Sequence, residues 1–377
     1  MSDRLKILLS GMVAGDPHQG GASWAVLQYL LGLRDLGHDV VLVEPLRGPP
    51  DAPLDLAGDV VRYFRSLPHL QGHAALLASG REETVGMSYD ELAAFAADAD
   101  MLINVSGMLA DERLLEPIAV RAFLDLDPGF VQVWHVTNED MGLDRHTHWV
   151  SVGQSLGEPD CPIPTCGKRW IATLPPVVLD HWPVAPPPPT RAAFTSVGHW
   201  RSYGSIQHEG IDYGQRAHSM RPLIDLPRRT AARFELALGI HPDESRDIEA
   251  LESNGWELVD PLQAAGTPDR YAAFIRGSLA ELGIAKSGYV ASRSGWFSDR
   301  SACYLASGRP VVAQETGFGA ALPTGEGLLP FSTADQAAAA VETVQSSWSR
   351  HSSAARELAE QHLDARVVLP RLLANLS

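Results

Sequence analysis

Between Lys286 and Pro310 the sequence gathers Lys286, Arg293, Arg300 and Arg309 against one acid, Asp299, a local balance of +3 in a chain of formal net charge -16. Such a concentration of positive charge suits an anionic ligand. Ser298-Asp299-Arg300-Ser301 reads as a helix start with Ser298 as the N-cap. The first turn of a helix exposes unpaired N–H groups and carries partial positive charge, which makes it a natural anion site. Arginine in that turn opposes the macrodipole unless an anion is near, so Arg300 points to a phosphate held by Ser298, Asp299, Arg300 and Ser301. The preceding loop adds the cation Arg293, close backbone approach at Gly295 and an aromatic platform at Trp296.

A second set of residues suits proton transfer. His18 lies in Asp16-Pro17-His18-Gln19-Gly20-Gly21, where Asp16 is placed to orient its ring and the paired glycines Gly20 and Gly21 let the loop approach a ligand. His135 follows the strand-like Val131-Gln132-Val133-Trp134, and Asp127 follows the strand-like Ala122 to Leu126. An imidazole near its ordinary pKa, or a carboxylate, can take a proton from a hydroxyl or amine nucleophile. His146 and His148 read as surface residues.

The elements that must position these groups are legible in outline. Lys6 to Ser10 reads as a buried strand, a glycine-rich loop follows, and Trp24, Leu27, Leu30 and Leu31 fall at helical spacing. Gly37 suits a helix C-cap, and Val40 to Val43 is a second apolar strand ending at Glu44. Continuous apolar strands in a βαβ unit imply a parallel sheet covered on both faces. The pattern recurs with a helix at Tyr89 to Ala97 and strands at Asp100 to Val105, Ala122 to Leu126 and Trp149 to Val152. After the proline run of residues 186–189 it starts again, with strands at Ala193 to Val197, Gly255 to Val259, Gly283 to Ala285 and Pro310 to Ala313. Helices fit Arg229 to Leu238, Asp269 to Ala280, Asp299 to Ala306 and Asp335 to Ser346, and Ser353 to Leu376 reads as helix broken at Pro370. The expected fold class is α/β, two Rossmann-like domains facing across a cleft: residues 1–185, a proline-rich linker at 186–192, and 193–362, with 363–377 as a final helix. Ligands of open α/β sheets bind outside the carboxyl ends of the strands, which here means the cleft.

The chain has 377 residues, 45% of them apolar, enough for two cores. Thirty basic side chains against 46 acidic ones predict repulsion from phosphate backbones and anionic lipid, hence no nucleic-acid and no membrane partner. Three cysteines, Cys161, Cys166 and Cys303, cannot form a disulfide framework and read as reduced thiols, with no metal site expected. The apolar run Leu5 to Leu9 is too short to span a bilayer and no small-residue cleavage site follows it, which reads as cytoplasmic.

Ser294-Gly295-Trp296-Phe297, followed by Ala302-Cys303-Tyr304-Leu305-Ala306-Ser307-Gly308-Arg309-Pro310-Val311-Val312, resembles the C-terminal nucleotide-sugar site of GT-B glycosyltransferases. The likeness is to the retaining type, with an E-G-F-G loop and an E-A-M-A-x-G-x-P-V-V helix. The Gly20-Gly21 pair is similar to the N-terminal glycine loop of the same enzymes. The resemblance implies transfer of a sugar from a nucleoside-diphosphate donor, a UDP-sugar being expected, to a small-molecule acceptor. It implies no cofactor beyond that cosubstrate, is compatible with a homodimer, and places the last helix back on the N-terminal domain. Diphosphate cations are implied on the loop after the first strand of the second domain, where Arg201 stands, and at Lys286. Gly295 and Cys303 stand where the family has two glutamates that contact the donor sugar and the ribose, and neither can accept two hydroxyl hydrogen bonds. Asp299, one turn before Cys303, is the available substitute.

Other classes remain open. An epimerase or a non-catalytic nucleotide-sugar binder would share the fold. A nicotinamide oxidoreductase would use Glu44 at the end of the second strand, but G-x-G-x-x-G is absent.

Overall fold

The computed structural model describes residues 4–49, 54–137, 139–189 and 192–377. Two separate sheets carry the architecture. In the first, Lys6–Ser10 (β1), Asp39–Pro45 (β2), Ala74–Leu77 (β3), Thr84–Gly86 (β4), Met101–Val105 (β5), Val120–Asp125 (β6), His148–Ser151 (β7) and Trp170–Ala172 (β8) take the order β4-β3-β2-β1-β5-β6-β7-β8. Every pairing is parallel except β3 with β4. Phe194–His199 (β9) opens the second sheet after a hairpin-free crossing from β8, and a two-stranded hairpin, Ile206–His208 (β10) with Ile211–Tyr213 (β11), follows it. Phe234–Gly239 (β12), Glu257–Leu258 (β13), Ala280–Gly283 (β14), Val311–Gln314 (β15) and Leu328–Phe331 (β16) complete an all-parallel sheet in the order β13-β12-β9-β14-β15-β16. In each sheet the first strand is central, so the strand order reverses there and opens a crevice at its carboxyl end.

The crossing between sheets runs through Pro186 to Pro189; Thr190 and Arg191, inside the expected linker, lie outside the described residues. Arg309 fixes the start of this crossing. Its guanidinium donates to the carbonyls of Pro186 at 2.8 Å and of Arg276, at the end of the helix Pro268–Gly277. A cation at that helix terminus faces the negative end of the macrodipole.

The seam between the sheets is apolar and close. Helix Gly20–Asp35 lies against both sides, and Trp24 and Leu27 belong to the same buried cluster as Tyr271, Phe297, Tyr304 and Leu305. The Trp24 indole donates to the Pro268 carbonyl at 3.0 Å. A Cβ on Gly20 would collide with the Thr267 carbonyl, so Gly20 is required by domain contact. The chain then returns. Helix Ala365–Leu376 packs on the first helix, where a Cβ on Gly32 would lie 2.6 Å from Leu369 Cδ1.

Several expected elements differ. Arg229 to Leu238 is not helical: Phe234, Leu236 and Leu238 alternate with Glu235 and Ala237, and that period of two is satisfied as β12 between β9 and β13. Val131 to Trp134 belongs to a helix, Phe130–Val136, because Gly129 turns the chain at φ 93° and its N–H donates to Gln132 Oε1 at 2.6 Å. Pro370 does not break the last helix. The interruption lies at Asp364, which caps the Arg366 N–H at 2.9 Å while Leu363 and Ala365 pair with Val177.

Candidate functional site

A cavity of about 620 Å³ opens between the carboxyl ends of the two sheets. Met12, His18, Gly21, Ser106 and Asp127 line it from the first sheet's side; Gly198, His199, Arg216, Lys286, Trp296 and Ser298 to Arg300 line it from the second. Of the residues singled out by sequence, His18, Gly21, Asp127, Lys286, Trp296, Ser298, Asp299 and Arg300 therefore meet in one place.

At its centre Asp127, just past β6, receives four hydrogen bonds from the other side. Lys286 Nζ lies 3.1 and 2.9 Å from its two carboxylate oxygens, and the hydroxyls of Tyr203 and Tyr289 donate one to each. Lys286 also sits over the rings of Tyr203, at 4.2 Å, and Phe130, at 5.0 Å. Burial pulls the lysine below the ordinary ammonium range although Asp127 supports its charge. Burial and the charge of Asp127 push both tyrosine hydroxyls up, so they act as donors. Both carboxylate oxygens of Asp127, expected from the sequence as a base, are thus engaged by Lys286 and two tyrosines, and the residue bridges the two halves.

Ser298 caps helix Asp299–Ala306, its Oγ accepting from the Arg300 N–H at 3.2 Å. The Arg300 guanidinium turns inward: Nε lies 2.6 Å from Glu281 Oε1 on β14, and Nη1 donates to the Val197 carbonyl at 3.3 Å. Burial works against its charge, but Glu281 holds it above the usual range. Asp299 faces the cavity, its carboxyl raised by burial and partly restored by Arg300.

The residue that sequence reasoning missed is Arg216. It begins helix Arg216–Met220, directly after the β10–β11 hairpin. Its Nε donates to the Ile284 carbonyl at 3.0 Å, while its buried Nη1 has no hydrogen-bond partner among the described residues. Burial and then the neighbouring charge of Arg300 pull its pKa down to about 9. Gly198 makes room for it, at φ 145°, since a Cβ there would strike Nη1. The hairpin puts fourteen residues between Arg201 and this position, which hid it; a glycine before an arginine at a helix start, Gly214-Gln215-Arg216, was the available signal.

The remaining expectations fall elsewhere. Arg201 pairs with Glu244 and lines a separate surface groove with Trp200 and His241. Arg293 is exposed at φ 49°, away from the cavity. Ser301 faces a void of about 10 Å³ behind its helix. His135 sits in the last turn of helix Phe130–Val136, outside the cavity, because that segment is not a strand. His146 is buried, not on the surface: Nδ1 donates to the Gly142 carbonyl at 2.8 Å and Nε2 accepts from Asn104 at 3.0 Å. Cys303 is buried beside the Gln28 amide at 3.6 Å, and Gly295, at φ 73°, packs on Ser155. Asp16 accepts from Gln19, whereas His18 Nε2 lies 2.8 Å from Asp59 Oδ2, on helix Asp59–Ser66. Asp59, not Asp16, orients the ring. Donation from Nε2 leaves the lone pair on Nδ1.

No protein-family model matches the chain, and no curated protein matches it in sequence. Solved structures do match in fold. An α-glucosyltransferase in complex with UDP superposes with a TM-score of 0.62 at 12% identity, over 98% of this chain and 99% of that one. The Anabaena HepE structure with UDP and glucose gives 0.60 at 11%, over 99% of both chains. An α-glucosyltransferase with UDP and a 13-mer DNA containing an A:G mismatch gives the same figures, 0.60 at 11% over 99% of both. The chain has the GT-B fold, two Rossmann-like halves facing across a cleft. The exclusion of nucleic acid is corrected by the last match: this scaffold is found with DNA bound, so total charge does not decide the partner. Among the described residues no helix is long and apolar enough to cross a membrane.

Proposed function

We propose that the protein transfers a glycosyl group from a nucleoside-diphosphate sugar, a UDP-sugar first among them, to an acceptor entering the cleft from the first domain's side. One observation carries this: Arg216 lines a cavity large enough for a nucleotide sugar, and its guanidinium keeps one N–H, at Nη1, with no partner among the described residues. A cation without a carboxylate partner is unfavourable in a buried wall and becomes favourable when an anion arrives. The matched structures that hold UDP support the choice of anion.

In this reading Arg216, Lys286 and the N-terminal turn capped by Ser298 face the diphosphate. Negative charge on the departing diphosphate grows as the glycosidic bond breaks, so cations fixed beforehand stabilise the transition state more than the bound donor. Asp299 takes the ribose or sugar hydroxyls in place of the absent glutamates. His18, oriented by Asp59, receives the acceptor's proton at Nδ1. The first-domain lining sets the apolar Met12, Ala25 and Leu126 beside His18, Gln19 and Ser106, which suits a small-molecule acceptor with an apolar part and a hydroxyl.

Thermal shift and calorimetry with UDP, uridine and NAD, followed by UDP release from UDP-glucose, test the reading. UDP should bind at least tenfold more tightly than uridine, and NAD should not compete. Preference for NAD would end it. A non-catalytic binder is the second reading, favoured by the burial of Cys303 away from the cavity; tight UDP-glucose binding with no UDP release, alone or with neutral glycoside or duplex DNA acceptors, would select it.

A further inference from the structure

Glu44 is the penultimate residue of β2, at the strand's carboxyl end, and is only 1% exposed. Its two carboxylate oxygens accept from consecutive backbone amides of the glycine loop, Ala14 N–H at 2.9 Å and Gly15 N–H at 2.6 Å. None of the groups that shift its pKa is a cation: burial raises it, and backbone N–H groups of residues 13–15 oppose the rise. A buried carboxylate answered only by backbone amides is a costly way to hold a loop, yet it gives two charge-assisted bonds of fixed direction. The loop is shaped to receive it. A Cβ on Gly15 would lie 2.6 Å from Glu44 Oε1, so the approach needs glycine there.

The same loop carries His18, whose φ of 66° lies in the left-handed region that is uncommon for residues other than glycine. Helix Asp59–Ser66 holds the far end: Asp59 bonds the ring, and the Tyr63 ring meets it edge-on at 5.4 Å between centroids. The near end has two anchors, Glu44 on the amides and Ser23 Oγ, which donates to the Val13 carbonyl at 2.7 Å. Backbone N–H groups of a glycine loop that could cradle a phosphate are thus occupied by the protein's own carboxylate.

We propose that Glu44 is a positioning residue that clamps the residue 13–19 loop and sets His18 toward the cavity, so that this loop serves the proton acceptor and not the nucleotide. The role rests on the transferase reading above. The clamp acts through backbone alone; Glu44 itself does not line the cavity.

Two variants address the clamp from opposite sides. Glu44→Gln replaces one acceptor oxygen with an NH2 group facing an N–H, and Gly15→Ala pushes the loop off an intact carboxylate. Each is measured by amide hydrogen exchange over residues 11–19, by diethylpyrocarbonate modification of His18, by UDP affinity, and by kcat and KM for sugar release from UDP-glucose. Loss of charge-assisted bonds should speed exchange at residues 14 and 15 about tenfold or more. His18 should react faster, and kcat should fall about tenfold, while UDP affinity stays within about twofold because the diphosphate cations are on the other sheet. Faster exchange with kcat unchanged would overturn the positioning role. So would slow exchange in both variants. Should Glu44→Gln fail to fold, Gly15→Ala decides by the same readouts. Wild-type protein that neither binds UDP nor releases sugar from UDP-glucose would sink the transferase reading, and the positioning role with it, whatever the exchange data show.

Discussion

Asp127 and Lys286, on opposite sheets and 159 residues apart, meet across the cleft with Nζ 2.9 Å from one carboxylate oxygen and 3.1 Å from the other. Tyr203 and Tyr289, both from the second half, complete the cluster, so one carboxylate joins the two halves at the cavity itself. Under the proposed transferase reading, a donor diphosphate arriving beside Lys286 competes with Asp127 for its cation.

Asp127→Ala should loosen this junction. Removing one partner of a fully buried pair costs about 3–5 kcal/mol; the cleft admits water to Lys286, so a loss of about 1–3 kcal/mol is expected. Chemical denaturation measures it, and Asp127→Ala combined with Lys286→Met should lose less than the single variant. Small-angle scattering should show a larger radius of gyration for Asp127→Ala in the absence of nucleotide. An unchanged radius and stability would mean that the seam alone holds the halves.

Arg216→Ala should weaken UDP binding by about 1.5–3 kcal/mol, more than tenfold, and uridine binding hardly at all. Arg201→Ala, whose guanidinium is committed to Glu244 outside the cavity, should leave both unchanged. Arg300→Ala differs again. It strands Glu281, which is fully buried, so loss of stability should dominate any loss of affinity. Calorimetry on the three variants separates the roles, and equal effects of Arg216→Ala on UDP and uridine would remove the anion contact.

His18→Ala should lower UDP release from UDP-glucose by about 10²–10⁴ with UDP affinity unchanged. Asp59→Asn keeps a side chain that can still accept from Nε2, and should fall between wild type and His18→Ala. Turnover of His18→Ala within a few-fold of wild type would instead favour a route in which the donor's own phosphate takes the proton.

Acid titration should reveal two opposed groups. His146 is lowered to about 4 by burial, with Arg121 and Arg145 adding to it and the Gly142 carbonyl opposing. Its unfolded form binds the proton more readily, so its contribution is complete above about pH 6.5 and is lost as pH falls toward 4. Asp125 is raised to about 6 by burial, against hydrogen bonds from Gln132, Ser151 and the Asp127 N–H. Its folded form binds the proton more readily, so stability falls as pH rises from about 4 to 6. Each amounts to about 3 kcal/mol over nearly the same window, and they offset. Denaturation midpoints of His146→Gln should therefore fall as pH rises through that window, and those of Asp125→Asn should rise more steeply than wild type. Parallel curves for all three proteins would refute both assignments.

What the sequence could reveal was set by range. Ser298 and the apolar run behind it define a helix from neighbours alone, and Asp299–Ala306 forms where expected. The first strand, glycine loop and helix are equally local. Phe234–Gly239 differs from the expected helix because five alternating residues preceded by arginines suit either period until β9 and β13 offer hydrogen bonds on both sides. In the site, residue types were legible and partners were not. His18 found Asp59 at a separation of 41 residues instead of Asp16 beside it, and Arg216 displaced Arg201 because a hairpin of unforeseen length came between strand and helix. Gly20, read as a ligand-approach glycine, is set against the Thr267 carbonyl of the other half.

The last helix lies on the first. The face of helix Gly20–Asp35 around Gly32 is covered by Ala365 and Leu369, more than three hundred residues further along the chain. During synthesis the amino-terminal sheet emerges with that face bare and must wait until the second half has been made. Truncation ahead of residue 365 would then leave both sheets built and that face of the first helix uncovered.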